Sequence, residues 1–160
     1  MNEHEGLDKQ TSRNPIAWSH WVYAIAAVLS LVGLADAIYL TVEHLVGETA
    51  GCIVTSGCSE VLGSKYASVG LVPLAAFGAL AYFAAFSSAV LAAFEYRAFE
   101  TFLMLLVQGM FAVTLWLLLL QAFVLHAFCD YCLLSAAITL LLTATIFAGH
   151  VLSTRRFGTK

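Results

Sequence analysis

The sequence predicts an all-α integral membrane protein, a bundle of four spanning helices. Three observations carry that prediction. Of 160 residues, 61% are apolar and only 11% charged, with a mean hydropathy of +0.90, whereas a soluble domain carries about 25% charged residues. The few charges are clumped, leaving long stretches with almost none. Four of those stretches reach the about 20 residues a helix needs to cross the hydrocarbon core.

The chain opens on a polar, acidic tail, residues 1–14, followed by an apolar run too long for the core of a signal peptide. The first predicted span is Trp21–Leu45, and Trp18, Trp21 and Tyr23 at its start read as an interfacial aromatic belt. A long connection, Val46–Gly70, leads to the second span, Leu71–Phe94. The third, Phe102–Phe123, lies between two short connections, Glu95–Thr101 and Val124–Asp130. The fourth, Tyr131–Leu152, runs into a basic tail, residues 153–160. Short connections make neighbours antiparallel, so residues 1–160 read as one domain with both termini on the same side. Gly33, Gly78 and Gly109 fall inside spans, where small residues let helices approach closely.

Sidedness follows from the basic residues. Lys9, Arg13, Arg97, Arg155, Arg156 and Lys160 share one side of a four-span topology, and only Lys65 lies on the other. Cytoplasmic loops carry the excess of Lys and Arg, which places both termini in the cytoplasm of a cell (inner) membrane and the long first loop outside. A net charge of −3, with no basic block, gives no reason to expect nucleic acid.

All four cysteines, Cys52, Cys58, Cys129 and Cys132, fall on the outer side, where disulfides persist. Three readings compete. Two structural disulfides would staple the outer loops, but a CxxC closes a very small ring and constrains the unfolded chain little. A four-thiolate zinc site usually shows two close-spaced knuckles, and Cys52 and Cys58 are six apart; no metal is assigned. The third reading is a redox-active relay between two dithiols. Cys129 and Cys132 open the fourth helix, where unpaired N–H groups favour a thiolate. A thiolate is what attack on a disulfide or an electrophile requires. Cys132, one turn in, is expected nearer the bundle interior and Cys129 nearer the loop. A dithiol at a bundle mouth, served by a second dithiol in a Gly- and Ser-rich loop, suits electron transfer from a soluble donor to a lipid-soluble two-electron carrier. A quinone is such a carrier.

The chain resembles the vitamin K epoxide reductase family, in particular its bacterial and archaeal members, from about Gly33 to Ala136. The resemblance rests on YLTVEH (39–44), GC (51–52), SGCSEVLGSKYASVGLVPLAAFG (56–78) and CDYCLLSA (129–136). It implies that Cys52 and Cys58 receive electrons from a thioredoxin-like or DsbA-like protein, Cys52 forming the mixed disulfide. Cys58 would then exchange with Cys129, leaving Cys132 beside a quinone of menaquinone or ubiquinone type. A short horizontal helix over Glu60–Ser68 would cap the quinone pocket. Ser64 and Tyr66 would stand near the ring, with Leu74, Phe77 and Ala136 completing its surroundings. Animal members place an Asn in helix two and a Tyr one turn after the second CxxC cysteine. The matching positions here are Leu74 and Ala136, which favours plain quinone reduction over epoxide reduction. Many bacterial relatives carry a fused thioredoxin-like domain after helix four; this chain ends at Lys160, so the expected partner is a separate protein.

Other polar residues admit two readings. Asp36 lies well inside the first span, with Tyr39 and Glu43 on roughly the same face. An intramembrane acid is a functional candidate by default, able to protonate a reduced quinone or merely to bond within the bundle. His126, three residues before Cys129, could accept a thiol proton near neutral pH, though an exposed loop histidine explains it as well. Gln121 either lines the pocket or satisfies a neighbouring backbone. The class-level rival to a thiol:quinone oxidoreductase is a non-enzymatic membrane protein with structural disulfides.

Overall fold

The structure, a computed structural model, describes residues 15–46, 58, 61, 63–64, 67–69, 72–94 and 96–157. Helix α1 runs Pro15–Val46; strands β1 (Ser68–Val69) and β2 (Val72–Pro73) follow; then come α2 (Leu74–Ala93), α3 (Arg97–Leu120), a π-helical turn Gln121–Leu125, and α4 (Asp130–Phe157). Among the described residues four helices are long and apolar enough to cross a membrane: His20–Val46, Leu74–Ala93, Ala98–Leu125 and Asp130–Val151.

The helices pack in a ring: α1 on α2, α2 on α3, α3 on α4, and α4 back on α1. Neighbours are antiparallel, as the contact register shows. Gly33 lies against Tyr82 and Ala37 against Gly78, while Val22 meets Gly149 and Tyr39 meets Tyr131. The core joins small side chains from α1 and α2, Ala26, Ala37, Ala85 and Ala89, to larger ones from α3 and α4, Leu103, Val107, Ile138, Leu142 and Ile146. Large apolar residues such as Leu31, Leu80, Leu105 and Trp116 point outward. That inverts a soluble bundle and suits lipid, where close van der Waals packing rather than exclusion of water holds helices together.

Several hydroxyl groups within the spans are satisfied locally or across the bundle. The hydroxyls of Thr41, Ser88, Thr143 and Thr145 donate to carbonyls four residues earlier. Tyr82 does the longer work. Its ring lies over Gly33, where a Cβ would overlap it. Its hydroxyl reaches α4, 3.0 Å from the Ser135 carbonyl and 2.9 Å from the hydroxyls of Ser135 and Thr139. One side chain thereby ties α1, α2 and α4.

Three features depart from the apolar pattern. The expected helix over Glu60–Ser68 does not reach Ser68. Cys58 and Val61 are helical, but the Ser64 N–H and hydroxyl both turn back to the Val61 carbonyl, at 3.3 and 2.8 Å. Ser68–Val69 then pair antiparallel with Val72–Pro73, in register Ser68↔Pro73 and Val69↔Val72. This pairing also moves the start of α2 from Leu71 to Leu74, whose N–H is taken by the Ala67 carbonyl at 2.8 Å. Finally, α3 begins at Arg97 and is prolonged past Phe123 by the π-helical turn. That turn closes when the N–H groups of His126 and Ala127 both reach the Gln121 carbonyl. His126 pays with a left-handed φ of 49°, a conformation His tolerates better than branched residues do.

Candidate active site

Cys129 is the N-cap of α4. Its carbonyl accepts the first intrahelical bond, from Leu133 N–H at 3.0 Å. Its sulfur takes the place of the usual capping oxygen and accepts from the backbone N–H groups of Tyr131 and Cys132. The chain turns into α4 here because the π-helical turn and left-handed His126 swing residues 126–129 across the end of the bundle.

The Cys129 thiol is held well below its ordinary value, at about 7. The largest cause is the hydrogen bond from the Cys132 side chain. Burial opposes it, the two backbone N–H groups add to it, and the Asp130 carboxylate works against it. A thiolate capped by helix N–H groups is the expected chemistry of this position.

Cys129 is fully buried, at 0% exposure, in a small cluster with Cys58, Val61 and Ala127. Cys58 is disulfide-bonded, whereas Cys129 and Cys132 are free thiols. Cys132 is partly buried, packs against the same cluster and also borders a cavity of about 160 Å³ lined by all four helices and the loop before α2. A space of that order holds one aromatic ring. Its wall is mostly apolar, with Leu40, Leu74, Leu117, Leu118 and Ala136 prominent. Its polar members are Asp36, His44, Ser64, Thr114, Gln121 and Ser135. The Gln121 amide hydrogen-bonds the Cys132 sulfur.

The structure thus brings Cys58 and Cys129 into one cluster, and gathers Cys132, Ser64, Leu74 and Ala136 around the cavity. Phe77 is 48% exposed and is not among the cavity residues, although Leu74, Ala75 and Gly78 of the same helix are. Cys52 and Tyr66 lie outside the described residues. Asp36, Tyr39 and Glu43 do not share one role. Asp36 is buried at the cavity, while Tyr39 turns to the rim, where its ring is 5.2 Å from that of Tyr131 and its hydroxyl bonds Tyr131 and Glu43. His44 and Thr114 escaped the sequence reading. A helical signal existed for each: His44 continues the stripe Asp36–Leu40, and Thr114 lies two turns before Gln121.

A sequence model of the vitamin K epoxide reductase family matches residues 24–147. The chain belongs to this family. The matched stretch takes in all four cysteines, the cavity and most of each span. No curated protein matches the chain. Membership makes this vitamin K epoxide reductase family protein a membrane oxidoreductase of the quinone-using type, and the apolar, ring-sized cavity beside Cys132 fits a quinone head group.

Proposed function

We propose that the protein is a thiol:quinone oxidoreductase that draws electrons from a thioredoxin-like, DsbA-like redox partner and so drives disulfide formation outside the cytoplasm. The observation that carries this reading is the placement of the CxxC pair: Cys129 packs with the disulfide-bonded Cys58, and Cys132 opens on the cavity.

The partner's two thiols become a disulfide as Cys52 and Cys58 are reduced, Cys52 forming the transient mixed disulfide. Cys58 then attacks the Cys129 sulfur of a Cys129–Cys132 disulfide, and Cys52 resolves the link to leave both inner thiols reduced. Cys132 sulfur bonds the quinone ring. The Cys129 thiolate attacks Cys132, the S–S bond re-forms, and the electron pair leaves onto the ring. Two thiols lose two electrons and two protons, and the quinone takes both to become a hydroquinone. A thiol that ionises near neutral pH suits the resolving role given to Cys129.

The excess of Lys and Arg at the opposite end of the bundle supports an outward-facing site. Free thiols at Cys129 and Cys132 support redox chemistry over a structural staple. Apolar Leu74 and Ala136 at the cavity support quinone over epoxide as substrate. The decisive assay is dithiol-dependent quinone reduction by the purified protein, with each cysteine replaced in turn and a quinone epoxide run in parallel. Cys132→Ser is expected to abolish turnover, and Cys52→Ser to block only oxidation of the protein partner. Native-rate turnover by Cys132→Ser overturns the assignment.

A further inference from the structure

Two buried side-chain oxygens of residues that line the cavity have no partner. Asp36 is 8% exposed and Gln121 4%, and among the described residues Asp36 Oδ2 and Gln121 Oε1 have no hydrogen-bond partner. The large majority of buried side-chain polar atoms are paired, and each exception calls for an explanation. Both residues line the space beside Cys132. The Gln121 amide nitrogen is already given to the Cys132 sulfur, so the free end of that side chain is its oxygen, which can only accept. The π-helical turn begins at Gln121, and such turns often mark functional positions.

A quinone carries acceptors alone and cannot satisfy the Gln121 oxygen, nor the Asp36 oxygen while that carboxyl is ionised. Its two-electron product carries two O–H donors. Resting on the quinone-reductase reading above, we infer that Gln121 and Asp36 bind the hydroxyls of the dihydroxyarene product, so that the cavity holds the reduced ring more tightly than the oxidised one. The positions that Leu74 and Ala136 leave apolar are thus not the polar grip of this site; it comes from α1 and from the end of α3. The consequence is thermodynamic. Tighter binding of the reduced form makes the bound ring a stronger oxidant of the Cys129/Cys132 dithiol, each tenfold preference adding about 30 mV for a two-electron couple.

The test measures binding rather than turnover. The purified full-length protein in nanodiscs is titrated calorimetrically with 1,4-naphthoquinone and, under anaerobic reducing conditions, with 1,4-dihydroxynaphthalene. A Cys132→Ser background prevents reaction with the ring. The unsubstituted cavity is expected to prefer the diol by roughly tenfold or more. Gln121→Met and Asp36→Leu, both close in size to the native side chains, are each expected to lose most of that preference while keeping the quinone affinity, which also reports that the cavity is intact. Equal weakening of both ligands would mean that the two residues only shape the cavity, and an unchanged preference would mean that they do not touch the product; either result overturns the inference. Failure of the unsubstituted cavity to bind either ring overturns the quinone reading itself.

Discussion

The Cys132 thiol donates to the Cys129 sulfur, and the Cys132 backbone N–H does so as well. One residue therefore supplies both the exchange partner and much of the field that stabilises a thiolate on the other. The Gln121 amide donates in turn to Cys132, so a hydrogen-bonded line runs from the end of α3 through both sulfurs to the N-terminus of α4. Polarised lines of this kind strengthen each member in a low-dielectric site. Charge settles on the sulfur beside Cys58, while the sulfur beside the cavity is the donor.

The Cys129 thiolate is expected to appear as pH rises through about 7, where an ordinary thiol titrates near roughly 8.5. Ultraviolet thiolate absorbance reads this directly, in protein with Cys58 left oxidised. Replacing Cys132 with Ala removes the largest cause of the shift, so the midpoint is expected to move up; a midpoint unmoved by Cys132→Ala sinks the account. By linkage, a thiol lowered on folding adds stability as pH rises from about 7 toward the unfolded value and loses it as pH falls back through 7.

Cys129→Ser is expected to leave Cys132 bonded to the ring with no thiolate to release it. Mixing the reduced variant with quinone should then give a persistent visible absorption band and no turnover. The band is expected to vanish in the Cys129→Ser, Cys132→Ser double variant. A band of equal intensity in the double variant would assign it to something other than Cys132.

Much of this arrangement was legible in the chain. Apolar run lengths gave four spans, and the position of Cys129 and Cys132 at the start of one of them gave an activated thiol. The hairpin at Ser68–Pro73 was not legible, because two-residue strands leave no alternation to read. The π-helical turn was hidden for a related reason: QAFVL continues an apolar helix without a break, and only the packing of residues 126–129 across the bundle end widens it. Nor could periodicity say which face of α1 holds the cavity. Asp36 and Tyr39 are three residues apart, yet one is buried at the cavity and the other lies on the rim.

The cavity wall gives a clean contrast between two residues that the family resemblance places near the ring. Ala136 lines the space and is buried, so Ala136→Phe is expected to fill it and raise the KM for quinone at least tenfold. Phe77 points out of the bundle, and Phe77→Ala is expected to change neither KM nor kcat by more than about twofold, since lone outward apolar side chains carry little. Steady-state quinone reduction with a small dithiol checks both, and a large KM effect from Phe77→Ala would place the ring on the other side of α2.

The Gly33–Tyr82 contact makes a stability claim independent of the chemistry. Gly33→Ala sets a Cβ into the Tyr82 ring, and an overpacked helix interface costs about 1–3 kcal/mol. Tyr82→Phe keeps the ring and loses the bonds to Ser135 and Thr139, a smaller loss of about 0.6 kcal/mol each by the measure of interhelical bonds in membranes. Thermal unfolding in detergent is therefore expected to rank native above Tyr82→Phe above Gly33→Ala. The informative variant is the pair Gly33→Ala with Tyr82→Leu, in which the shorter side chain makes room for the added methyl. If the clash is the cause, the double variant unfolds later than Gly33→Ala alone, whereas simple addition of the two losses would show that Gly33 is needed for some reason other than the ring above it.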